Sequence, residues 1–367
     1  AKRPLLLVGG GVKVARAGAD MQALAEKTGV PVVTTIMGKG ALPTSHPLYI
    51  GNIGIHGSYA ANSAMANCDV LFSIGTRFND RITGKLSAFA KDTTIVHVDV
   101  DPASISKNIV VDIPIVADAG QAIKGMLKKA RPVGDGAWLA KIRAWKDAYP
   151  IRMAYDGLTA QAIIEKINGL FENSVIVTDV GQNQLWSTQF LALGPRRQML
   201  TSGGLGTMGY GFPAALGAKL GNPDKDVIVI TGDGGFQMNL QELATAVIEK
   251  IPVIICILNN GCLGNVRQWQ EMFFGERYSY TDLLPGPDCG MDYVPDFIKL
   301  AESYGVPALR VTRKEDLDPA FDKARQVRDR PVLIECMIDR EQNVLPIVPP
   351  GKALNEMILT QKEEDGR

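Results

Sequence analysis

The stretch 227–260, VIVITGDGGFQMNLQELATAVIEKIPVIICILNN, constrains the fold more than any other part of the chain. Residues 227–231 are a continuous apolar run rich in β-branched side chains, the pattern of a parallel strand buried on both faces. Gly232, Gly234 and Gly235 around Asp233 break that run with residues that tolerate positive φ. Leu240, Leu243, Ala244 and Val247 then recur at helical spacing, and after Pro252 a second apolar run covers 253–258. The expectation is strand, turn, helix, strand. In a right-handed βαβ unit both strands point the same way, so Asp233 and Asn260, each just past a strand, should meet at one sheet edge.

A carboxylate and an amide oxygen brought together beside glycine backbone suit a hard divalent cation such as Mg²⁺, which takes oxygen ligands and leaves places for water and phosphate. A helix beginning near Asn239 would aim its N–H groups and positive dipole end at the same place. The inference is a metal-bridged diphosphate. Gly-Asp-Gly alone is an ordinary turn and Asn-Asn an ordinary strand end. The information lies in their joint spacing between two buried strands.

The 367 residues suffice for two or three domains. A hydrophobic content of 46%, a charged content of 21% and 38 glycines fit α/β domains rather than a disordered or fibrous chain. A net charge of +0 gives no electrostatic footprint for nucleic acid or a membrane surface, and neither is expected as a partner. No apolar run reaches the roughly 20 residues of a spanning helix. Five scattered cysteines, Cys68, Cys256, Cys262, Cys289 and Cys336, show no CxxC spacing, which points to buried thiols in a reducing compartment and a cytoplasmic setting. An organellar setting is compatible with this, because a targeting signal would lie upstream of Ala1. The chain opens directly on a strand, as after a cut at a domain boundary.

Taken in order, strand 4–8 runs into Gly9, Gly10 and Gly11, followed by a helix over 15–27 and a strand over 30–35. Gly54, Ile55 and His56 come next. Strand 70–74 ends in Gly75, Thr76 and Arg77, strand 94–98 in Asp99, and strand 113–116 just before Asp118. Five strand ends thus deliver Gly, Thr, Asp or Arg to one edge. Glycine turns admit phosphate, an acid can hold a ribose hydroxyl, and arginine can hold phosphate or carboxylate. Close strand–helix packing explains the glycines equally well, and helix N-capping the two aspartates. Residues 132–157, with one amphipathic helix carrying Trp138, Leu139, Ile142 and Trp145, read as an interdomain linker. A second unit over 158–345 begins with helix 158–171 and strand 175–178, which ends in Gly181, Gln182 and Asn183. A glycine-rich loop over 203–211 holds Gly206 and Met208, and Met208 in such a loop reads by itself as core filler. After Asn260 a loop over 261–268 leads to Trp269 and to a glycine-interrupted segment with the character of a lid. Helix 294–304, strand 308–311, helix 317–327 and strand 332–337 complete the sheet. A tail over 346–367 should lie over the surface.

The motifs GGLGTMGYGFPAALGA (203–218), GDGGF (232–236), ILNN (257–260), VRQWQ (266–270) and RFNDRITG (77–84) occur together in one order and spacing. In this the chain resembles the large catalytic subunit of acetohydroxyacid (acetolactate) synthase. The GDG…NN pair is common to thiamine diphosphate (ThDP) enzymes, while RQWQ with RFNDRITG is far more specific. The resemblance implies two consecutive doubly wound α/β domains: a central FAD-binding domain over 1–131 and a ThDP diphosphate-binding domain over 158–345. It implies that Asp233, the Asn260 side chain and the Cys262 backbone carbonyl hold Mg²⁺. Gly181, Gln182, Asn183, Gly206, Gly232, Asp233, Gly234, Gly235 and Asn260 would surround ThDP, with Met208 beneath the cofactor. Arg81 and Trp269 would select the second 2-oxoacid, the one through its carboxylate and the other through its alkyl group. Gly9, Gly10, Gly11, Gly54, Ile55, His56, Gly75, Thr76, Arg77, Asp99, Val100 and Asp118 would contact FAD.

The activity so implied joins two 2-oxoacids, pyruvate with pyruvate or 2-oxobutyrate, to 2-acetolactate or 2-aceto-2-hydroxybutyrate and CO₂, in branched-chain amino-acid biosynthesis. The implied partners are a second copy of the chain and a small regulatory subunit. Family members also have an N-terminal pyrimidine-binding domain with a glutamate that protonates the cofactor. Nothing in these residues takes that place, so half a site and poor activity are expected of the chain alone. Asn183 stands where a histidine is usual, Asn265 where a methionine is usual, and 283–293 has the look of an insertion. Two alternatives stand beside this reading: another ThDP-dependent decarboxylase or ligase, and a cofactor-binding fragment that is catalytic only with an N-terminal partner.

Overall fold

A computed structural model describes residues 1–134, 136–284 and 295–361. The chain divides into two compact units, one of Ala1–Ile151, Ala192–Pro195 and Leu345–Arg367, the other of Arg152–Leu191 and Arg196–Val344.

The first unit is built on six strands: β1 (Pro4–Val8), β2 (Val32–Thr34), β3 (Tyr49–Asn52), β4 (Val70–Ile74), β5 (Thr94–Asp99) and β6 (Ile113–Val116). They lie in the order β3-β2-β1-β4-β5-β6, all parallel. The chain leaves β1 toward one side and returns to start β4 on the other, so the C-terminal ends of β1 and β4 flank the switch point where such sheets take ligands. All five residues of β1 are buried, as its unbroken apolar run requires.

The helix expected over 15–27 runs Gly18–Thr28, and a separate short helix, Gly10–Val14, precedes it, parted from it where Arg16 takes φ 52°. The stretch read as linker contains the helix Ala137–Ala148, which seals the first unit. Trp138 and Ile142 lie in its core beside Leu5, Leu7 and Leu71, and the Trp138 indole N–H donates to Pro4 C=O at 3.1 Å. The tail is also more than a surface strand. Val348 and Leu354 are buried in that same core, and Val348 N–H donates to Ile55 C=O at 2.8 Å. In both stretches large apolar side chains gain burial that a free connector would forgo, about 1.5–3 kcal/mol for each full side chain.

The second unit carries β7 (Ser174–Thr178), β8 (Gln198–Thr201), β9 (Asp226–Gly232), β10 (Ile254–Asn259), β11 (Ala308–Val311) and β12 (Val332–Met337). Their order is β11-β12-β10-β9-β7-β8, again all parallel. Here the switch point falls between β7 and β9. The short edge strands β3 and β8 were not legible as strands in the sequence. The loop expected over 261–268 is a helix from Gly264 to Phe273. Most of the insertion over 283–293 lies outside the described residues, as does Cys289. Among the described residues no helix is long and apolar enough to cross a membrane.

Candidate cofactor site

The sites are built where the strands end. Gly232 pairs in register with Leu258, so β9 and β10 finish side by side and pass directly into Asp233 and Asn260. The Gly261 N–H donates to Asn259 Oδ1 at 3.0 Å, and the main-chain N–H groups of Gly234 and Gly261 lie close enough to the Asp233 carboxyl to pull its pKa down. The two elements predicted to converge do so. The local reason differs from the one expected, because the helix at this place is Asp233–Gln237, beginning at the acid itself, and the longer helix Glu242–Ile248 starts only afterwards.

Asp233 is buried, and desolvation pushes its carboxyl up to about 7, against the pull of its main-chain donors. Among the described residues no basic side chain pairs with it. A cation placed here would supply that missing counter-charge. Burial also pushes the Cys262 thiol up to about 12, which leaves it neutral and restricts this residue to its carbonyl oxygen as a ligand. No three His, Cys, Asp or Glu side chains cluster for a metal among the described residues, so a cation here must draw on amide and main-chain oxygens beside Asp233.

Around this turn the glycines are held by neighbours. A Cβ at Gly234 would fall 3.1 Å from Met208 Cε and 2.8 Å from Leu263, so Met208 lies directly against the GDGG turn rather than in a remote core. Gly181 has φ 132° and Gly206 φ 75°, conformations that a side chain would strain. The Asn183 side chain borders both Gly181 and Gly232, and its Oδ1 is buried without a hydrogen-bond partner. An orphaned acceptor of this kind fits a ligand group or water at that spot. Gln182, placed at the cofactor by the resemblance, spends its side chain within the protein: it accepts from Asn260 and donates to Gln268 and to Gln342 C=O.

Asp179 escaped the sequence reading. It is 1% exposed, and its carboxylate accepts the N–H groups of Val180 (2.8 Å), Gly209 (3.0 Å) and Gly211 (2.7 Å). A Cβ on Gly235 would fall 2.7 Å from Asp179 Oδ1, and one on Gly211 2.9 Å from Asp179 N. These two glycines therefore admit the aspartate, which ties the Met208 loop to the end of β7. The signal available in the sequence was an acid immediately after a buried strand.

Trp269 lies half-buried on the helix Gly264–Phe273, edge-on to Phe273 at 5.4 Å between ring centres. Arg81 belongs to the first unit, exposed, with Asp80 at 3.6 Å and its own C=O accepting from Ile55 N–H at 2.9 Å. The structure thus brings Arg81 to the predicted Gly54–Ile55 segment, where a Cβ on Gly54 would meet Arg81 O at 2.4 Å.

At the first switch point Gly9, Gly11 and Gly75 pack on one another. A Cβ on Gly9 would fall 2.0 Å from Gly75 O, and one on Gly11 2.7 Å from Gly75 Cα. Gly10 lies against Met37. Thr76 is buried with its hydroxyl unpartnered, and His97, behind it, bonds Thr76 O at 2.7 Å while burial lowers its pKa. Arg77 is exposed here. Asp99 is turned inward, where its Oδ1 accepts from Asp101 N–H, and Asp118 caps the helix Ala119–Lys129 through Gln121 N–H. The capping alternative is thus realised at Asp118. Val100 is 71% exposed, and His56 is half-buried beside Ile55.

Two all-parallel switch-point domains, the second with a buried acid in a glycine turn, define a class, and comparison with known proteins identifies it. Residues 1–126 match the central domain of the thiamine pyrophosphate enzymes, and residues 179–336 match their C-terminal TPP binding domain. The chain belongs to the thiamine pyrophosphate enzymes. Among its relatives are acetolactate synthase large subunits. It is 40% identical to that of Cyanidium caldarium over 99% of this chain and 62% of the relative. It is 43% identical to the probable one of Methanocaldococcus jannaschii, over 97% and 61%, and 43% to that of Corynebacterium glutamicum, over 97% and 58%. The chain spans about three fifths of the length of these relatives.

Proposed function

We propose that this chain supplies the flavin-type central domain and the diphosphate-binding half of the active site in a ThDP-dependent enzyme that joins two 2-oxoacids into an acetohydroxyacid. The observation that carries it is the buried Asp233 carboxyl at the β9–β10 edge, without a basic partner among the described residues and surrounded by glycine turns. Mg²⁺ would rest on Asp233, Asn260 Oδ1 and the Cys262 carbonyl, with a diphosphate along Gly181–Asn183 and the GDGG turn. When bound, ThDP supplies an electron sink for decarboxylation of the first 2-oxoacid. Of the chain's own residues, Met208 against the GDGG turn would support the cofactor, Trp269 would pack on a substrate alkyl group, and Arg81 of the first unit would pair with a carboxylate.

FAD would lie at the first switch point. Its fit rests on the unpartnered Thr76 hydroxyl there, beside the closely packed glycines Gly9, Gly11 and Gly75. The same reading includes a second copy of the chain, a small regulatory subunit, a role in branched-chain amino-acid synthesis and a cytoplasmic setting.

The test is calorimetric titration of the chain with ThDP, with and without Mg²⁺, alongside acetolactate formation from pyruvate with FAD present. Binding that requires Mg²⁺ and is lost in Asp233→Ala supports the site. ThDP binding of equal strength in Asp233→Ala would refute it. Acetolactate formed by the chain, alone or after addition of a pyrimidine-binding domain, supports the reaction.

A further inference from the structure

Gln268 is fully buried one residue before Trp269, and the sequence reading assigned it nothing. An amide's oxygen and nitrogen have nearly the same shape, so its orientation must come from its partners. Val344 provides both: its N–H donates to Gln268 Oε1 at 2.8 Å, and its C=O accepts from Gln268 Nε2 at 3.0 Å. Reversing the amide would set donor against donor and acceptor against acceptor. The main chain thus holds Gln268 in one sense.

From there the orientation passes inward. Gln268 Oε1 faces Gln182, which must present its nitrogen, at 3.1 Å. The same Nε2 also donates to Gln342 C=O at 3.1 Å, a second reason that it can only be a donor. Gln182 Oε1 is then turned toward Asn260, whose Nδ2 donates to it at 3.0 Å. The remaining amide atom of Asn260 is Oδ1, which receives only a long 3.4 Å contact from Cys262 N–H. A Cβ at Gly264 would fall 2.0 Å from Gln182 Oε1 and 2.7 Å from Asn260 Nδ2, so glycine there keeps the relay open.

We propose that Gln268 and Gln182 are positioning residues that relay the main-chain polarity of residues 342–344 to Asn260, fixing its amide so that oxygen, not nitrogen, is the atom left for a cation. This rests on the reading of Asn260 as a Mg²⁺ ligand. A carbonyl oxygen attracts Mg²⁺ and an NH₂ group repels it, so an amide free to turn would bind the ion more weakly.

The experiment measures the Mg²⁺ midpoint for ThDP binding to the 367-residue chain by intrinsic fluorescence. Gln268→Met and Gln182→Met are compared in the wild-type and Asn260→Asp backgrounds, with thermal unfolding as the fold control. In the wild-type background each substitution should raise the midpoint about 10-fold, the lower end of what second-layer partners of metal ligands contribute. In Asn260→Asp both terminal atoms are oxygen and orientation no longer matters, so the same substitutions should shift the midpoint less than twofold. Should Gln268→Met fail to fold, Gln182→Met carries the comparison. Equal shifts in both backgrounds would show a general structural role and overturn the relay, as would no shift in the wild-type background. Binding of ThDP to the wild-type chain without Mg²⁺ dependence would instead overturn the reading of Asn260 as a ligand, and the relay with it.

Discussion

Replacing Asp179 by Asn keeps the shape of the side chain and removes its charge, and the structure sets the cost. In the better of its two orientations the Asn oxygen would retain the donors from Val180 and Gly209, while its NH₂ group would confront Gly211 N–H, now 2.7 Å from Oδ2. One hydrogen bond to a charged group is lost, about 1.5–3 kcal/mol, and the two that remain become neutral ones of roughly half the strength. The sum is about 3–6 kcal/mol, felt first by the loop that carries Met208. Native-state hydrogen exchange at the Gly209 and Gly211 amides reads this locally, and the lower bound of about 3 kcal/mol corresponds to exchange about 150-fold faster. Affinity for ThDP should fall with it, since Met208 and the GDGG turn share that contact. Exchange changed by less than threefold would refute the assignment of Asp179 as the tether.

Three further outcomes follow from the same structure. Trp138→Ala should destabilise the first unit by about 3–5 kcal/mol in urea unfolding, because the indole is buried and bonded to Pro4; a loss below 0.5 kcal/mol would restore the linker reading. Gly9→Ala should prevent the first unit from folding, since its Cβ would overlap Gly75 O at 2.0 Å, and circular dichroism showing an unchanged fold would contradict this. Lys39 is buried and desolvation lowers its pKa to about 7, so between pH 7 and 10 the unfolded chain binds a proton that the folded chain does not. Stability from this group therefore rises with pH across that window, by about 2 kcal/mol from pH 7 to 9. Lys39→Met should abolish that rise in denaturation measured at the two pH values, and an identical pH dependence in both proteins would count against it.

Much of the site was written in residue order. The apolar run of β9, the GDGG turn and the run of β10 ending in Asn260 determined by themselves that an acid and an amide emerge beside each other, because strand periodicity and the handedness of βαβ units are local or nearly universal. The motifs likewise placed the chain among thiamine enzymes. Tertiary structure decided what no local pattern encodes. β8 is a short edge strand whose identity comes from its pairing with β7. The helix Ala137–Ala148 could have served as linker or core, and only the cavity it fills beside Leu5 and Leu71 settles which. At Gly235 and Gly211 the neighbour is Asp179, 56 and 32 residues away in sequence, among strands that order themselves only on folding. The amide sequence from Val344 through Gln268 and Gln182 to Asn260 spans 162 residues of chain. Hydrogen-bond polarity of that kind belongs to the assembled sheet, since each amide acquires its direction only from a partner that folding brings to it.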